Sequence, residues 1–439
     1  MLNLQDLGIG GGSLTMFALL LGLLVTGMPL AFVTILVALI FALGWFGPMV
    51  IPIVTTRIYS FITQYVFVSV PMFVLMASIL DRSGIARDLF DAMKIIGGRV
   101  RGGVAVQTLV VSVILAAMSG IIGGEIVLLG LLALPQMLRL GYDRNMAIGV
   151  VCSGGALGTM IPPSIVLIIY GLSANVSIGD LFTASFVPGL LLASLYAAYV
   201  LIRVRLNPSL APLPDEGDGM AAADRWSLMK GLIMPLLVVV FVLGSIYGGI
   251  ASVTEASAIG VAGVILSTVL RGEFSWRMLW DSALQTLSTC GMIVWIGIGA
   301  SALIGVYNLM GGIRFIEGLL LNVSDTPIVI VLLMMLILGV LGMFLDWVGI
   351  ALLCIPIFAP IVVKLGYDPV WFGVLFSMNM QVSFLSPPFG PAAFYLKSVA
   401  PPGITLGIIF RSLVPFIGLQ ILALALVLAF PWIALWWKP

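Results

Sequence analysis

Two carboxylates stand where the chain is otherwise apolar. Asp346 lies in LGMFLDWVGI and Glu125 in MSGIIGGEIVLL. A carboxylate near the centre of a bilayer costs about 2.5–3.5 kcal/mol on insertion scales, so such a group faces a cavity or a cation. Asp346 therefore reads as a cation ligand or its neighbour, with a cap on a half-helix as the alternative reading. Glu125 reads either as its counterpart in the first half of the chain or as the partner of a buried donor. Gly120, Gly123 and Gly124 beside it let carbonyls approach closely. Lys397 in FYLKSVAPP is either a substrate contact or a side chain snorkelling to the interface. Glu255 and Asp180 follow Ser252 and Ser177 at capping distance and read as structural. The chain holds no histidine and no GxxxxGK[ST] sequence, and Cys152, Cys290 and Cys354 lie apart in apolar runs. Transition-metal, nucleotide and histidine-based chemistry are thereby excluded. Ser398 beside Lys397 lacks the glycine-rich setting of a nucleophile, which argues against an enzyme.

The elements that must position these groups are membrane helices. Of 439 residues 62% are hydrophobic and 37 are charged (19 Lys+Arg, 18 Asp+Glu). That is too few charges for a water-soluble exterior, and a net charge of +1 offers no footprint for nucleic acid. A span needs about 20 apolar residues. Candidate spans are 13–46, 65–80, 103–138, 181–202, 232–249, 250–270, 282–309, 327–363 and 408–432. The first is interrupted at Gly27-Met28-Pro29, giving one kinked helix or two short ones, and 48–64 reads as an interfacial arm. Charge gathers at 81–101 (Arg82, Arg87, Lys94, Arg99, Arg101), at 203–230 (Arg203, Arg205, Arg225, Lys230) and at 271–281 (Arg271, Arg277). The positive-inside rule puts all three in the cytoplasm.

The polar stretch 207–224 divides two related halves. Pro135, Leu140-Gly141-Tyr142-Asp143, Pro162-Pro163 and Tyr170 recur 225 residues later as Pro360, Leu365-Gly366-Tyr367-Asp368, Pro387-Pro388 and Tyr395. An odd number of crossings between the two LGYD turns puts them on opposite faces, which is an inverted-topology repeat of the kind found in secondary transporters. The short, small-residue-rich segments 145–159 and 370–385, each meeting a Pro-Pro pair, read as limbs of re-entrant hairpins near 145–176 and 370–400. The runs 103–138 and 327–363 then read as the crossings. The expected fold is all-α and polytopic, each repeat carrying a broken transmembrane helix and a re-entrant helical hairpin. It divides into N-terminal scaffold helices and arm (1–101), a first transport repeat (102–202), a cytoplasmic linker (203–230), second-half scaffold (231–326) and a second transport repeat (327–439). Half-helix termini and loose carbonyls at such breaks suit anions and Na⁺.

IPPSIVLIIYG (161–171), SIGDLF with VPGLLL (177–192), YGGIASVTEASA (247–258), LGMFLD (341–346), LGYDP (365–369) and SPPFG (386–390), in this order, resemble the large membrane subunit of tripartite ATP-independent periplasmic (TRAP) transporters. So does RIYSFITQYVFVSVPMFVLMASIL (57–80). The resemblance implies a sodium-coupled importer of organic acids in a bacterial inner membrane, with an elevator-like transport domain. Its partners would be a small four-helix membrane subunit and a periplasmic substrate-binding protein; Na⁺ is the coupling ion and no other cofactor is implied. It implies Na⁺ sites around Ser119, Gly120, Glu125, Asp346, Asn379 and Ser386. Thr159, Pro162, Pro163, Pro387, Pro388 and Lys397 would lie at the hairpin tips or substrate. The chain departs from the family in Gly154-Gly155-Ala156 where hydroxyl residues are common, in Glu125 for Asp, and in Ala392 for Asn. The run PPFGPAAFYLK with LDWVGIALLCIPIFAP is similar to a branch associated with 2-oxo acids or related monocarboxylates. A stand-alone inverted-repeat sodium/anion symporter is the alternative.

Overall fold

A computed structural model describes residues 4–85, 88–90, 100–120, 123–212 and 222–438. Arg87, Lys94 and Arg99 of the first charge cluster and 213–221 of the linker lie outside the described residues. The first apolar run is two helices, α1 (Gly8–Val25) and α2 (Leu30–Phe46). They are antiparallel, since Gln5 donates to the Trp45 carbonyl (2.6 Å) and Gly12 lies against the Trp45 ring. The chain then bends by 120° into the 48–62 segment, with α3 spanning Ile51–Ile62, and descends through α4 (Ser69–Arg82).

The next helices correct the expected placement of the hairpins. They are α5 (Gly103–Ser119), α6 (Gly124–Arg139), α7 (Arg144–Gly155) and α8 (Ile165–Ala174). Tyr142, just past α6, accepts a hydrogen bond from the backbone N–H of Val104 at the start of α5 (3.3 Å). The chain has therefore come back: α5 and α6 form the re-entrant hairpin, with its tip at 119–125. Helix α7 runs alongside α5, with Gly154 against Ser112, and α8 continues toward the opposite face, where the Tyr170 hydroxyl donates to the Pro369 carbonyl (2.7 Å). The Pro162-Pro163 segment breaks a crossing helix and does not reverse it. Proline removes an N–H and disfavours a helical residue before it, which ends a helix without fixing the direction of the next. Reversal comes instead from Gly120 (φ 58°) and Gly123 (φ 112°). A single helix over 103–138 would also be about 54 Å long at ~1.5 Å per residue, against a hydrocarbon core of about 30 Å.

The second repeat matches. Helices α14 (Pro327–Gly342) and α15 (Trp347–Lys364) are the hairpin, and α16 (Pro369–Leu385) with α17 (Pro391–Val399) is the broken crossing. Asn379 donates to the Met335 carbonyl (2.6 Å), and Gly342 lies against Ser383, so α16 runs parallel to α14 and α15 returns between them. Each repeat closes with a long helix, α9 (Ile178–Leu206) and α18 (Leu406–Ala429). Between the repeats lie α10 (Ala222–Tyr247), α11 (Val253–Leu270), α12 (Trp276–Leu309) and α13 (Gly312–Leu321). Five crossings still separate the LGYD turns, now counted as α7–α8, α9, α10, α11 and α12.

Capping carboxylates and hydroxyls set where these helices start. Asp143 accepts from the Met146 N–H (2.9 Å) and Asp368 from the Val370 N–H (2.7 Å). Ser177 accepts from Asp180 N–H, and Ser252 with Glu255 forms a full capping box. The faces are fixed by contacts between ends. Asp143 N–H reaches the Leu210 carbonyl (2.8 Å), Gly102 meets Val204, and Arg271 pairs with Asp88 and Glu273. These contacts tie described residues of all three charge clusters to the face at the base of the first hairpin, whereas Asp81 of the first cluster lies at the hairpin tip, against Gly124. On the other face Lys438 pairs with Asp368 (2.5 Å) and Trp436 donates to the Thr183 carbonyl (3.2 Å). Met16, Val37, Phe41, Leu303 and Val306 belong to a small separate apolar cluster of α1, α2 and α12. The two repeats share the large one.

Candidate transport site at the helix breaks

In each repeat the hairpin tip faces the break of the crossing helix beside it. In the first, Glu125 is buried in the opening turn of α6 and accepts from the Ser119 hydroxyl through Oε1. Its Oε2 is buried with no hydrogen-bond partner among the described residues. A Cβ built on Gly158, in the break, would lie 3.1 Å from Glu125 Oε1. Gly120 lies directly against the Pro163 carbonyl, and its own carbonyl faces the Ile165 N–H at 3.5 Å. Thr159, Pro162 and Pro163 are all buried here. The Thr159 carbonyl is doubly held, by the Ser164 hydroxyl (2.5 Å) and by Ser377 of the other repeat (2.7 Å). Ser119, Gly120, Glu125, Thr159, Pro162 and Pro163 are thus brought together.

In the second repeat Asp346 is the N-cap of α15 and accepts from the Val348 N–H (3.0 Å). It also lines a cavity of about 10 Å³ with Gly342, Met380, Ser383, Phe389 and Pro391, the order of one water-sized sphere. The capping alternative for Asp346 is what the contacts describe. Ser386 sits in the break and donates to the Val382 carbonyl (2.8 Å). Asn379 lies further back on α16 as a tie to α14. Pro387 and Pro388 are exposed, whereas the first pair is buried. Lys397 stands at the far end of α17, where its ammonium donates to the Ile404 carbonyl (2.8 Å), apart from the tip. Glu125 and Asp346 are not register mates, because Glu125 falls inside its helix and Asp346 just before its own.

Sequence reasoning missed the polar contacts between repeats. Gln381 donates to the Ala156 carbonyl (2.9 Å), and these residues are 225 apart. Two repeat mates in contact place the pseudo-two-fold axis between them, at the crossing of the two broken helices. Ser377 is the mate of Cys152 at the same offset but bonds Thr159 instead, so the offset alone does not say which residues of the two broken helices meet. Tyr395 was also missed as a site residue. Its ring covers Gly123, where an added Cβ would lie 2.9 Å away. Exchanging Gln381 for leucine leaves the Ala156 carbonyl without its side-chain donor, at a cost of about 1–3 kcal/mol. The detergent-solubilised variant should unfold several degrees below wild type, and an unchanged midpoint would show that the axis contact contributes nothing.

The pattern defining the tripartite ATP-independent periplasmic transporter DctM component matches residues 17–433. The chain belongs to this family. The C4-dicarboxylate TRAP transporter large permease protein DctM of Vibrio cholerae is 28% identical over 448 residues, 96% of each chain. The ectoine/5-hydroxyectoine TRAP transporter large permease protein UehC of Ruegeria pomeroyi is 30% identical, covering 96% of this chain and 97% of that one. The sialic acid TRAP transporter large permease protein SiaM of Vibrio cholerae is 28% identical over 94% of this chain and 95% of its own length. In fold, this TRAP large permease is similar to the Alcanivorax borkumensis YdaH transporter at a TM-score of 0.61, 15% identity and 88% coverage of both chains. It is accordingly a multi-pass membrane transporter subunit and not an enzyme, of the class that works with a small membrane subunit and a periplasmic binding protein.

Proposed function

We propose that this permease is the sodium-coupled translocating subunit of a binding-protein-dependent importer of organic acids in a bacterial inner membrane. The observation that carries the reading is the buried Glu125 carboxylate, one oxygen of which has no partner among the described residues. A buried carboxylate oxygen left bare costs several kcal/mol unless a cation or donor meets it. Na⁺ does so within a tip already lined by the Gly120 carbonyl and the Ser119 hydroxyl. Asp346, beside its small cavity, is the carboxylate at the tip of the second repeat's hairpin. A substrate carboxylate then sits between the two tips, near the N-terminal ends of α8 and α17, whose N–H groups favour an anion. The repeats move as one elevator-like block against α1–α4 and α10–α13; α1, α2 and the end of α12 carry a separate apolar cluster, while α4, α10 and α11 pack into the one the repeats share. Coupling follows if the tips close only when both Na⁺ and substrate neutralise each other.

Reconstitution of this permease with its small subunit and binding protein in liposomes tests the reading. Uptake of a labelled organic acid should require an inward Na⁺ gradient and the binding protein. Uptake that persists without Na⁺ would overturn the coupling, and uptake without the binding protein would favour a stand-alone symporter.

A further inference from the structure

We infer that Tyr395 and Phe389 select the substrate, and that its class is a monocarboxylate with an apolar branched or aryl tail. The inference rests on the organic-acid reading given above and names the substrate of that same site. Tyr395 belongs to the second repeat, yet its ring lies over Gly123 at the tip of the first hairpin. Pro391, which opens the same helix, lines the Asp346 cavity at the tip of the second. The helix that carries Tyr395 therefore reaches both tips, and 40% of Tyr395 remains exposed. A phenol so placed offers a donor to an anion held between the tips.

The surface beside it is aromatic. Phe389 lines the Asp346 cavity and contacts Phe394 (centroids 6.4 Å), which contacts Phe410 in turn (6.4 Å). Phe389 and Phe394 are each 46% exposed, and Phe344 on the hairpin tip is 68% exposed. Phe389 lies in the non-helical break itself, next to exposed Pro387 and Pro388. Bare backbone at membrane depth faces protein or a wet cavity and not lipid, so Phe389, on that break, borders the substrate space.

Charge narrows the class. Neither the tips (119–125, 342–347) nor the breaks (156–164, 386–390) contain a lysine or arginine. Lys397, on the far end of α17, is bonded to the Ile404 carbonyl. One carboxylate can be met by bound cations, helix N-termini and the Tyr395 hydroxyl. The second carboxylate of a dianion would find no cationic side chain within the tips and breaks themselves, whereas an apolar tail gains by covering the phenylalanine faces.

The test measures Na⁺-dependent ligand binding to the purified permease with its small subunit, by intrinsic tryptophan fluorescence. The probes are 4-methylpentanoate, 3-phenylpropanoate, acetate and succinate. The two apolar-tailed acids should bind at least about tenfold tighter than succinate. Tyr395→Phe should weaken both about tenfold through loss of the hydroxyl donor. Phe389→Ala should shrink the advantage of 4-methylpentanoate over acetate by a similar factor of about ten. Stabilisation of both variants by Na⁺ alone, unchanged from wild type, reports that they are folded. Succinate binding as tightly as the apolar-tailed acids, Tyr395→Phe binding both acids as tightly as wild type, or Phe389→Ala keeping the full advantage of 4-methylpentanoate over acetate would overturn the selection while leaving the transport reading standing. If no carboxylate binds in the presence of Na⁺, both fall together.

Discussion

Replacing Glu125 with glutamine is expected to lower Na⁺-driven uptake by about 100-fold, the equivalent of about 3 kcal/mol. Glutamine keeps the size of the side chain and an oxygen to accept from the Ser119 hydroxyl, so the packing against Gly158 and Ser119 survives. What it removes is the negative charge behind Oε2, the buried oxygen without a partner. Glu125→Ala should be as inactive as Glu125→Gln, and Glu125→Asp should recover part of the rate because charge returns with a shorter reach. Uptake and equilibrium binding of labelled Na⁺, measured on the same preparations, separate loss of the ion from loss of folding. Glu125→Gln transporting at the wild-type rate would mean that no cation is held there.

The second large effect is expected at Gly120. Its backbone is left-handed (φ 58°), and a Cβ there would run into the Pro163 carbonyl oxygen. For an L-residue the left-handed backbone costs about 1–2 kcal/mol and overpacking about 1–3 more. Gly120→Ala should therefore unfold at a markedly lower temperature, and what remains folded should not transport, because the tip can no longer rest on the break. Gly27 provides the control: its φ is 83°, but nothing lies within 4 Å of a Cβ built there. Gly27→Ala should show only the backbone part of the cost and keep its activity. If the two alanine variants behave alike, contact between tip and break is not what limits transport.

Much of this was legible before any coordinates. Hydropathy and the clustering of 20 of the 37 charges in 81–101, 203–230 and 271–281 fix a polytopic chain, and contacts such as Arg271 with Asp88 and Gly102 with Val204 join the three clusters, Asp81 at the hairpin tip excepted. The repeat was legible because proline, glycine and tyrosine keep a constant offset, and the odd crossing count survives. The assignment of hairpin and broken helix did not survive, because local chemistry marks where a helix stops and says little about where the chain goes next. Pro162-Pro163 and Pro387-Pro388 stop helices that carry straight on, while the reversals lie at Gly120, Gly123 and the stretch before Asp346. The length of 103–138 held the better signal. Asp346 shows the same limit at one residue: a carboxylate after a break is equally a cap and an ion ligand on paper. The contacts of Tyr395 and Gln381 were out of reach for another reason. They join residues of opposite repeats, and no local pattern encodes which face of one broken helix meets the other.

The contact between Gln381 and Ala156 bears on how the molecule came to be. In a symmetric pair of identical half-length chains, both positions would carry the same residue. Two glutamines would contend for one space between the crossing helices, and two alanines would leave it empty. The present fit needs a long side chain on one copy and a short one on the other, which requires two separately encoded halves. This contact therefore postdates duplication of the half, and from that event onward each half could be altered by selection without its mirror image changing too.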